Sequence, residues 1–131
     1  MKWIDQAGYS CASAWCEQYC VTVYVGGIRF IKPILIGDMV RIDAQLIHTG
    51  NTSMHIAIDV WSKKVTEKDY EKKTHCIIVF VALDEMGKKA KVPAWTPTNE
   101  SEQMMQSYAM KLMKLRKEIE GEMTPYFAKR T

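Results

Sequence analysis

The sequence predicts an α+β fold: a helix, four strands that form an antiparallel sheet, and a second helix. Apolar residues recur at steps of three and four near both chain ends, which is the period of one helix face. Between them lie four strand-like segments separated by turn-length connections. Consecutive strands joined by short turns pair antiparallel, and helices outside such a sheet define the α+β class.

The first twenty residues are predicted to form a helix with Ile4, Gly8, Cys11 and Trp15 on one face. Many of their neighbours are small. Gly8 costs a helix about 1 kcal/mol relative to alanine, so its presence requires a structural reason. Close approach of another backbone is the simplest one, and a helix with a small-residue face can lie tightly against a curved sheet.

The strand segments differ in their patterns. Val21–Val25 and Ile28–Ile31 are separated by Gly26-Gly27, which indicates a bulge or bend inside one strand. Two further segments, 40–46 and 54–60, alternate apolar and polar residues and are joined by a turn at 49–52. The segment 76–83 is apolar on both faces, as in a central strand that is covered on each side.

The C-terminal part begins with an irregular linker from Pro93 to Pro97. Asn99 and Glu102 have capping-box spacing, and the apolar positions that follow predict an amphipathic helix over 98–122. The chain of 131 residues lies within the usual size of one domain, roughly 100–150 residues, so we expect a single domain over 1–131 with this helix appended.

Composition excludes several classes of protein. The apolar fraction of 47% and the charged fraction of 25% are those of a folded globular chain. A net charge of +3, spread along the chain, argues against a nucleic-acid partner, and no apolar run approaches the roughly 20 residues of a membrane span. We expect a cytoplasmic protein with reduced cysteines that act as small apolar side chains, and neither cysteine nor histidine spacing predicts a metal site.

Residue types alone give weak evidence for a site. Asp5 is a candidate buried base, although acidic residues in a first helical turn are usually solvated and stabilised by the helix dipole. Asp38, after Gly37, is interpreted as a turn residue. His48 ends an apolar stripe and is expected at the rim of the core, whereas His55 shares a face with Asp59 and is expected at the surface. A histidine–carboxylate pair could arise only through the fold.

Short motifs in order along nearly the whole chain resemble the hotdog-fold acyl-CoA thioesterases, specifically the broad acyl-CoA hydrolase branch. Their residues are Met1–Asp5 with Ala7-Gly8, Val21–Val23, Phe30–Pro33 with Ile36–Asp38, Gly50–Met54, Phe80–Asp84, Gly87 and Val92-Pro93. Each motif is short, and the set is specific through its order and spacing.

The resemblance implies a curved sheet wrapped around the first helix, subunits that join their sheets in pairs, and active sites at the subunit interface. The assembly would be a homo-oligomer, a dimer or a trimer of dimers. Asp5 would activate water or attack the thioester directly, with Thr22 as a second hydroxyl. Lys32 and the turn residues Gly50, Asn51, Thr52 and Ser53 would contact coenzyme A, which is part of the substrate, so no separate cofactor is expected.

The sequence departs from the family at three places. Gly26 stands where relatives commonly have an acidic residue, and Arg29 where they have Asn or Asp. Relatives also carry a first strand and a Gly-Gly pair before the central helix, whose N–H groups polarise the thioester oxygen. Here that strand is missing, so we expect Met1 to be an internal methionine of a longer protein, which mass spectrometry of the native N-terminus would test.

Two other functions stay open. One is a non-catalytic hotdog protein that binds acyl-CoA. The other is a hotdog dehydratase or hydratase, which ranks lower because that chemistry usually pairs a histidine with the acidic residue and the helix that carries Asp5 contains none.

Overall fold

The computed structural model describes residues 2–128 and divides into two compact units between Thr96 and Pro97. The first unit contains helix α1 and four strands, and the second contains helix α2. The bounds are α1 Lys2–Cys16, β1 Tyr19–Phe30, β2 Met39–Thr49, β3 Ser53–Lys63, β4 Glu71–Leu83 and α2 Glu100–Ala128. The predicted α+β class and element order are therefore confirmed.

The four strands form one antiparallel sheet in the order β1-β4-β3-β2. The two first strands in the chain thus become the two edges of the sheet, and the segment 31–38 crosses between them. β3 and β4 occupy the centre, with Met54 opposite Phe80 and Ile58 opposite Cys76. A central position requires apolar residues on both faces, and every residue from Cys76 to Ala82 is buried, as predicted.

Helix α1 lies against one face of this sheet and contacts all four strands. Gly8 and Ala12 are buried, and Ile4, Cys11 and Trp15 pack on the core, so the predicted helix face is confirmed. A Cβ atom on Gly8 would lie 3.1 Å from the Phe80 ring. This close approach is the structural reason for glycine that the sequence required.

The end of α1 lies earlier than predicted. The helix stops at Cys16, and Glu17 adopts a left-handed φ of 54° that turns the chain towards β1. Strand β1 already begins at Tyr19, because Cys20 is buried and joins the core opposite Ala82. The small polar and apolar residues near position 20 do not distinguish a helix end from a strand start.

The glycine pair lies inside β1, as predicted. Gly27 has a φ of 58°, and the pairing of β1 with β4 shifts register between Gly26 and Arg29. A second shift lies between Thr22 and Tyr24. The strand continues through both irregularities to Phe30, so the glycines bend the strand and do not end it.

The prediction of a surface position for His55 is wrong, because this side chain is only 4% exposed. Its parity with Asp59 placed it on a polar face, but that face is polar only near Asp59. His55 lies opposite Val79 and beside Ala57, which are both buried, and its ring centre is 5.2 Å from that of His48. His48 itself is half-buried, as predicted, and burial lowers its pKa.

Helix α2 has the predicted cap with one difference. The Glu102 backbone N–H donates to Asn99 Oδ1 at 2.8 Å, which makes Asn99 the N-cap residue. The Glu102 carboxylate, in return, accepts hydrogen bonds from the backbone N–H and the hydroxyl of Thr98. The helix also continues beyond the predicted end at 122, through Pro125 to Ala128.

Candidate functional site

Asp5 and Thr22 line the same open depression beside α1, with a volume of about 520 Å³. Asp5 belongs to the early turns of α1, and its side chain is exposed. Thr22 lies opposite Phe80 in the pairing of β1 with β4 and is also exposed. The fold therefore brings together two residues that are seventeen positions apart in the sequence.

The walls of this depression come from α1 and from the first half of β1. Tyr9 packs edge-on against Phe80 with ring centres 6.4 Å apart. Gln6 and Ser10 supply polar groups from the same helix as Asp5, and Cys20 completes the lining from β1. The depression is thus polar at its helix side and apolar at its floor.

The cysteines near Asp5 are neutral thiols. Burial, with a smaller contribution from Cys16, raises the pKa of Cys20 to about 11. Burial also raises the pKa of Cys76, and the charges of Asp5 and Asp59 raise it further. All four cysteines are free, and three are buried, in agreement with the predicted apolar role. Because a thiolate is the reactive form, Cys20 and Cys76 are unsuited to be nucleophiles near neutral pH.

A second, apolar cavity of about 420 Å³ lies at the N-terminal end of α1. Ile4 and Cys76 belong to its lining, together with side chains of β1, β2 and the segment between them, among them Ile28, Ile34 and Ile42. Ile4 adjoins Asp5 in the chain, and the charge of Asp5 acts on the Cys76 thiol. Asp5 therefore lies next to both the polar depression and the apolar cavity.

Lys32 lies near the same end of α1 as the apolar cavity. The backbone N–H groups of Ile31 and Lys32 donate to the Lys73 carbonyl, and the Lys32 ammonium pairs with Glu71. This ion pair and a contact from Lys73 hold the pKa of the exposed Glu71 carboxyl below its usual range. Lys32 thus already has an anionic partner, which an incoming phosphate would have to displace.

The turn at Gly50–Ser53 lies at the other end of the sheet. The Gly50 N–H donates to the Ser53 carbonyl, and Val92 N–H donates to the Asn51 carbonyl. Trp15, near the C-terminal end of α1, donates its indole N–H to the Pro93 carbonyl at 2.8 Å. Ten residues of helix, about 15 Å along its axis, separate Trp15 from Asp5. Within one chain, the turn therefore lies nearer to the C-terminal end of α1 than to Asp5.

Asp38 is a turn residue, as interpreted from the sequence. Its carboxylate accepts a hydrogen bond from the Leu35 N–H at 3.0 Å and one from the Ser62 hydroxyl at 3.5 Å. These contacts close the turn before β2.

The sequence did not reveal the Asp59–His75 pair. Asp59 and His75 are partners in the β3–β4 pairing, and His75 Nδ1 lies 2.7 Å from Asp59 Oδ1. Lys72 adds a contact of 3.4 Å. Partial burial would raise the pKa of Asp59, but the hydrogen bond and charge of His75, together with Lys72, outweigh it and lower that pKa. No spacing rule could predict this pair, because the strand register creates it.

The Asp59–His75 pair does not belong to the Asp5 site. His75 alternates along β4 with Cys76 and Ile78, which pack in the core beneath α1, so His75 lies on the opposite face. Arg29 is the partner of His75 in β1, and Gly26 lies under the Tyr24 ring. The departures from the family at Gly26 and Arg29 therefore both fall on strand β1, and Arg29 lies directly beside this pair.

Within residues 2–128, no three His, Cys, Asp or Glu side chains come close enough together to hold a metal ion. In the same range, no helix is both long and apolar enough to cross a bilayer.

Comparison with known proteins links this fold to one family. Residues 1–68 match the thioesterase superfamily. An uncharacterized acyl-CoA thioester hydrolase from Buchnera aphidicola subsp. Baizongia pistaciae is 41% identical over 90 residues, which are 66% of this chain and 67% of that protein. The acyl-CoA thioester hydrolase YciA from Escherichia coli is 34% identical over 96 residues, 71% of this chain and 73% of that protein.

Solved structures agree with this result. The acyl-CoA hydrolase from Staphylococcus aureus, in complex with butyryl coenzyme A, coenzyme A and coenzyme A disulfide, superposes with a TM-score of 0.85 at 26% identity. The match covers 97% of this chain and 79% of that one. The hexameric thioesterase y2039 from Yersinia pestis gives a TM-score of 0.66 at 35% identity over 72% of this chain and 78% of that one. The predicted hotdog fold is confirmed, and this chain belongs to the thioesterase superfamily.

Proposed function

We propose that this protein hydrolyses acyl-CoA thioesters to the free acid and coenzyme A. One observation carries the proposal: Asp5 shares a polar depression with Thr22 and adjoins an apolar cavity. An acyl-CoA thioester has the same division, with a polar reacting centre between an apolar chain and a long polar carrier. The family and the activities of the relatives support the same reaction.

Asp5 supplies the reacting carboxylate in this proposal. As a general base, it takes a proton from water while the oxygen attacks the thioester carbonyl carbon; the C–S bond then breaks, and coenzyme A leaves as a thiolate that takes up the proton. As a nucleophile, it attacks the thioester carbonyl carbon, the C–S bond breaks and coenzyme A leaves as a thiolate; water then hydrolyses the acyl–Asp5 anhydride to the free acid and the Asp5 carboxylate. Thr22 provides a hydroxyl to orient water or the thioester oxygen.

The apolar cavity is the proposed acyl compartment. Its volume of about 420 Å³ falls in the usual range of small-ligand pockets, roughly 300–1,000 Å³. Its mostly apolar lining suits a hydrocarbon chain and offers few partners for polar groups. The proposed substrates are therefore thioesters with apolar acyl groups.

Coenzyme A would be held across a subunit interface. Lys32 and the turn residues Gly50, Asn51, Thr52 and Ser53 are the proposed contacts for its polar part, and they lie at opposite ends of the sheet in one chain. A homo-oligomer, either a dimer or a trimer of dimers, could place the turn of one subunit near Asp5 of another. The hexameric Yersinia pestis relative supports an assembly of this type. Neither a separate cofactor nor a nucleic-acid partner is part of the proposal.

The test compares hydrolysis of an acyl-CoA panel by the wild type and Asp5→Asn. Loss of a general base typically lowers turnover by about 10²–10⁴-fold, and we expect a loss of that size with coenzyme A binding retained. Thr22→Val should lose about tenfold, the effect of one hydrogen bond. Asp69→Asn, in an exposed loop, is the matched control and should leave turnover unchanged.

The outcomes separate the alternatives. Unchanged turnover in Asp5→Asn would refute the role of Asp5. Binding without turnover in the wild type would favour the non-catalytic acyl-CoA binding protein. Among the described residues that line the depression, none is a histidine, which gives no support to a dehydratase or hydratase. A single turnover in ¹⁸O-water distinguishes the two mechanisms, because only the nucleophilic one can place ¹⁸O in the Asp5 side chain.

A further inference from the structure

The C-terminal half of α2 exposes an apolar face. Through Arg116 the helix has a buried or half-buried side that includes Ala109 and Leu112, whereas every position from 117 to 126 is exposed. Four large apolar side chains lie in or next to this exposed part: Leu115 at 52%, Ile119 at 57%, Met123 at 43% and Tyr126 at 75% exposure. A helix end that is surrounded by water does not require large apolar side chains, so this exposed surface needs another explanation.

These four side chains form one stripe. Their spacings of four, four and three residues keep them within an arc of about 80° on the helix surface. An open groove runs along the stripe between Glu118 and Tyr126. We call this surface the α2 stripe. It has the form of a seam between two packed helices.

The charges beside the α2 stripe are divided into two blocks. Positions 111–117 carry four basic residues, and positions 118–122 carry three acidic ones. Two copies aligned in parallel would place like charges together. Two antiparallel copies centred near residue 117 would place the basic block of each opposite the acidic block of the other, so the helix is complementary to itself in that direction alone.

We propose that the α2 stripe pairs with the α2 stripe of a second copy of this chain, antiparallel, with Leu115 packed against the partner subunit's Ile119. In this register Lys111 approaches the partner subunit's Glu122. Arg116, which lies 3.8 Å from Glu120 of its own helix, also approaches the partner subunit's Glu120. This contact is additional to any joining of sheets and independent of the proposed hydrolysis, since none of its residues belongs to the Asp5 site.

Cross-linking tests the register directly. A mixture of Leu115→Cys and Ile119→Cys proteins should form an intermolecular disulfide between the two variants. Lys117→Cys, on the opposite side of the helix, is the control. We expect at least about tenfold more cross-linked dimer from the mixture than from the control, because pairing raises the effective concentration of the two thiols. Three of the native cysteines are buried, which keeps the background low.

Two results would overturn the proposal. One is a cross-linked fraction in the mixture no higher than that of Lys117→Cys. The other is more efficient cross-linking of Leu115→Cys with itself, which a parallel pair would produce.

Charge reversal gives an independent test by sedimentation. Lys111→Glu and Glu122→Lys should each weaken self-association by about three- to tenfold, and the double variant should restore it. Eleven residues of helix, about 17 Å, separate the two positions within one chain, so the rescue cannot arise inside one helix. Lys117→Glu is the matched charge control. Failure of the double variant to recover would exclude this register.

Discussion

Gly8 shows how one missing methyl group sets the distance between α1 and the sheet. A Cβ at this position would lie 3.1 Å from the Phe80 ring and 3.5 Å from Ile58. Gly8→Val should lower the free energy of unfolding by about 1–3 kcal/mol, the usual cost of overpacking. Gly8→Ala should change it less, because a gain in helix propensity of about 1 kcal/mol offsets the tighter contact. Urea unfolding measures both.

Gly121→Ala is the comparison for helix propensity alone. A Cβ on Gly121 would have no neighbour within 4 Å, so this substitution should only stabilise α2. If Gly8→Val were as stable as the wild type, the close packing of α1 on Phe80 would be contradicted.

The lowered pKa of Asp59 predicts that the free energy of unfolding depends on pH. Its pKa is lowered in the folded chain, so the ionised carboxylate stabilises the fold above the unfolded pKa, about 3.8. This contribution should be lost as the pH falls below that value and through the folded pKa. Asp59→Asn should cost about 1 kcal/mol at pH 7, the typical value of one hydrogen bond. It should also flatten the pH dependence of unfolding between pH 5 and pH 3, because stability follows the difference in bound protons.

Thermal or urea unfolding over this pH range provides the measurement, with Asp69→Asn as the exposed control. A pH profile for Asp59→Asn as steep as that of the wild type would show that the Asp59 carboxylate does not contribute.

The sequence predicted a secondary-structure element correctly wherever a single local residue pattern determines that element. The alternation of apolar and polar residues predicted β2 and β3, and the apolar run predicted β4. Burial of one strand face produces the alternation, and burial of both faces produces the apolar run. The Gly26-Gly27 pair was correctly placed inside β1. The end of α1 and the burial of His55 were not predicted, since both depend on which residues oppose them in β4, and strand register is not a local property.

The start of α2 depends on Asn99. Asn99→Ala removes the acceptor for the Glu102 N–H and should destabilise the helix start by about 1 kcal/mol. Hydrogen exchange at the Glu102 and Gln103 amides should accelerate, whereas Asn99→Asp, which keeps the acceptor, should preserve protection. Equal exchange in Asn99→Ala and the wild type would show that the cap does not hold this turn.

Across the whole molecule, the fold decides which of the predicted site residues lie close together. Asp5 and Thr22 were named by resemblance, and the fold places both in one depression. The apolar cavity had no signal in the sequence, because its walls come from α1, the sheet and the segment 31–38. Lys32 and the Gly50–Ser53 turn were predicted to contact one ligand, yet they lie at opposite ends of the sheet.

If one active site combines Asp5 of one subunit with the turn of another, two inactive variants should complement each other in a mixed oligomer. Asp5→Asn inactivates the proposed base, and Gly50→Val disrupts the turn, since a Cβ there would lie 2.5 Å from Ser53 Oγ. If Asp5 and the turn of one site come from different chains, a mixed dimer contains one intact site and one doubly defective site. Random mixing should then restore about a quarter of wild-type turnover from two inactive parents. If both come from one chain, every site in the mixture carries a defect and no turnover returns.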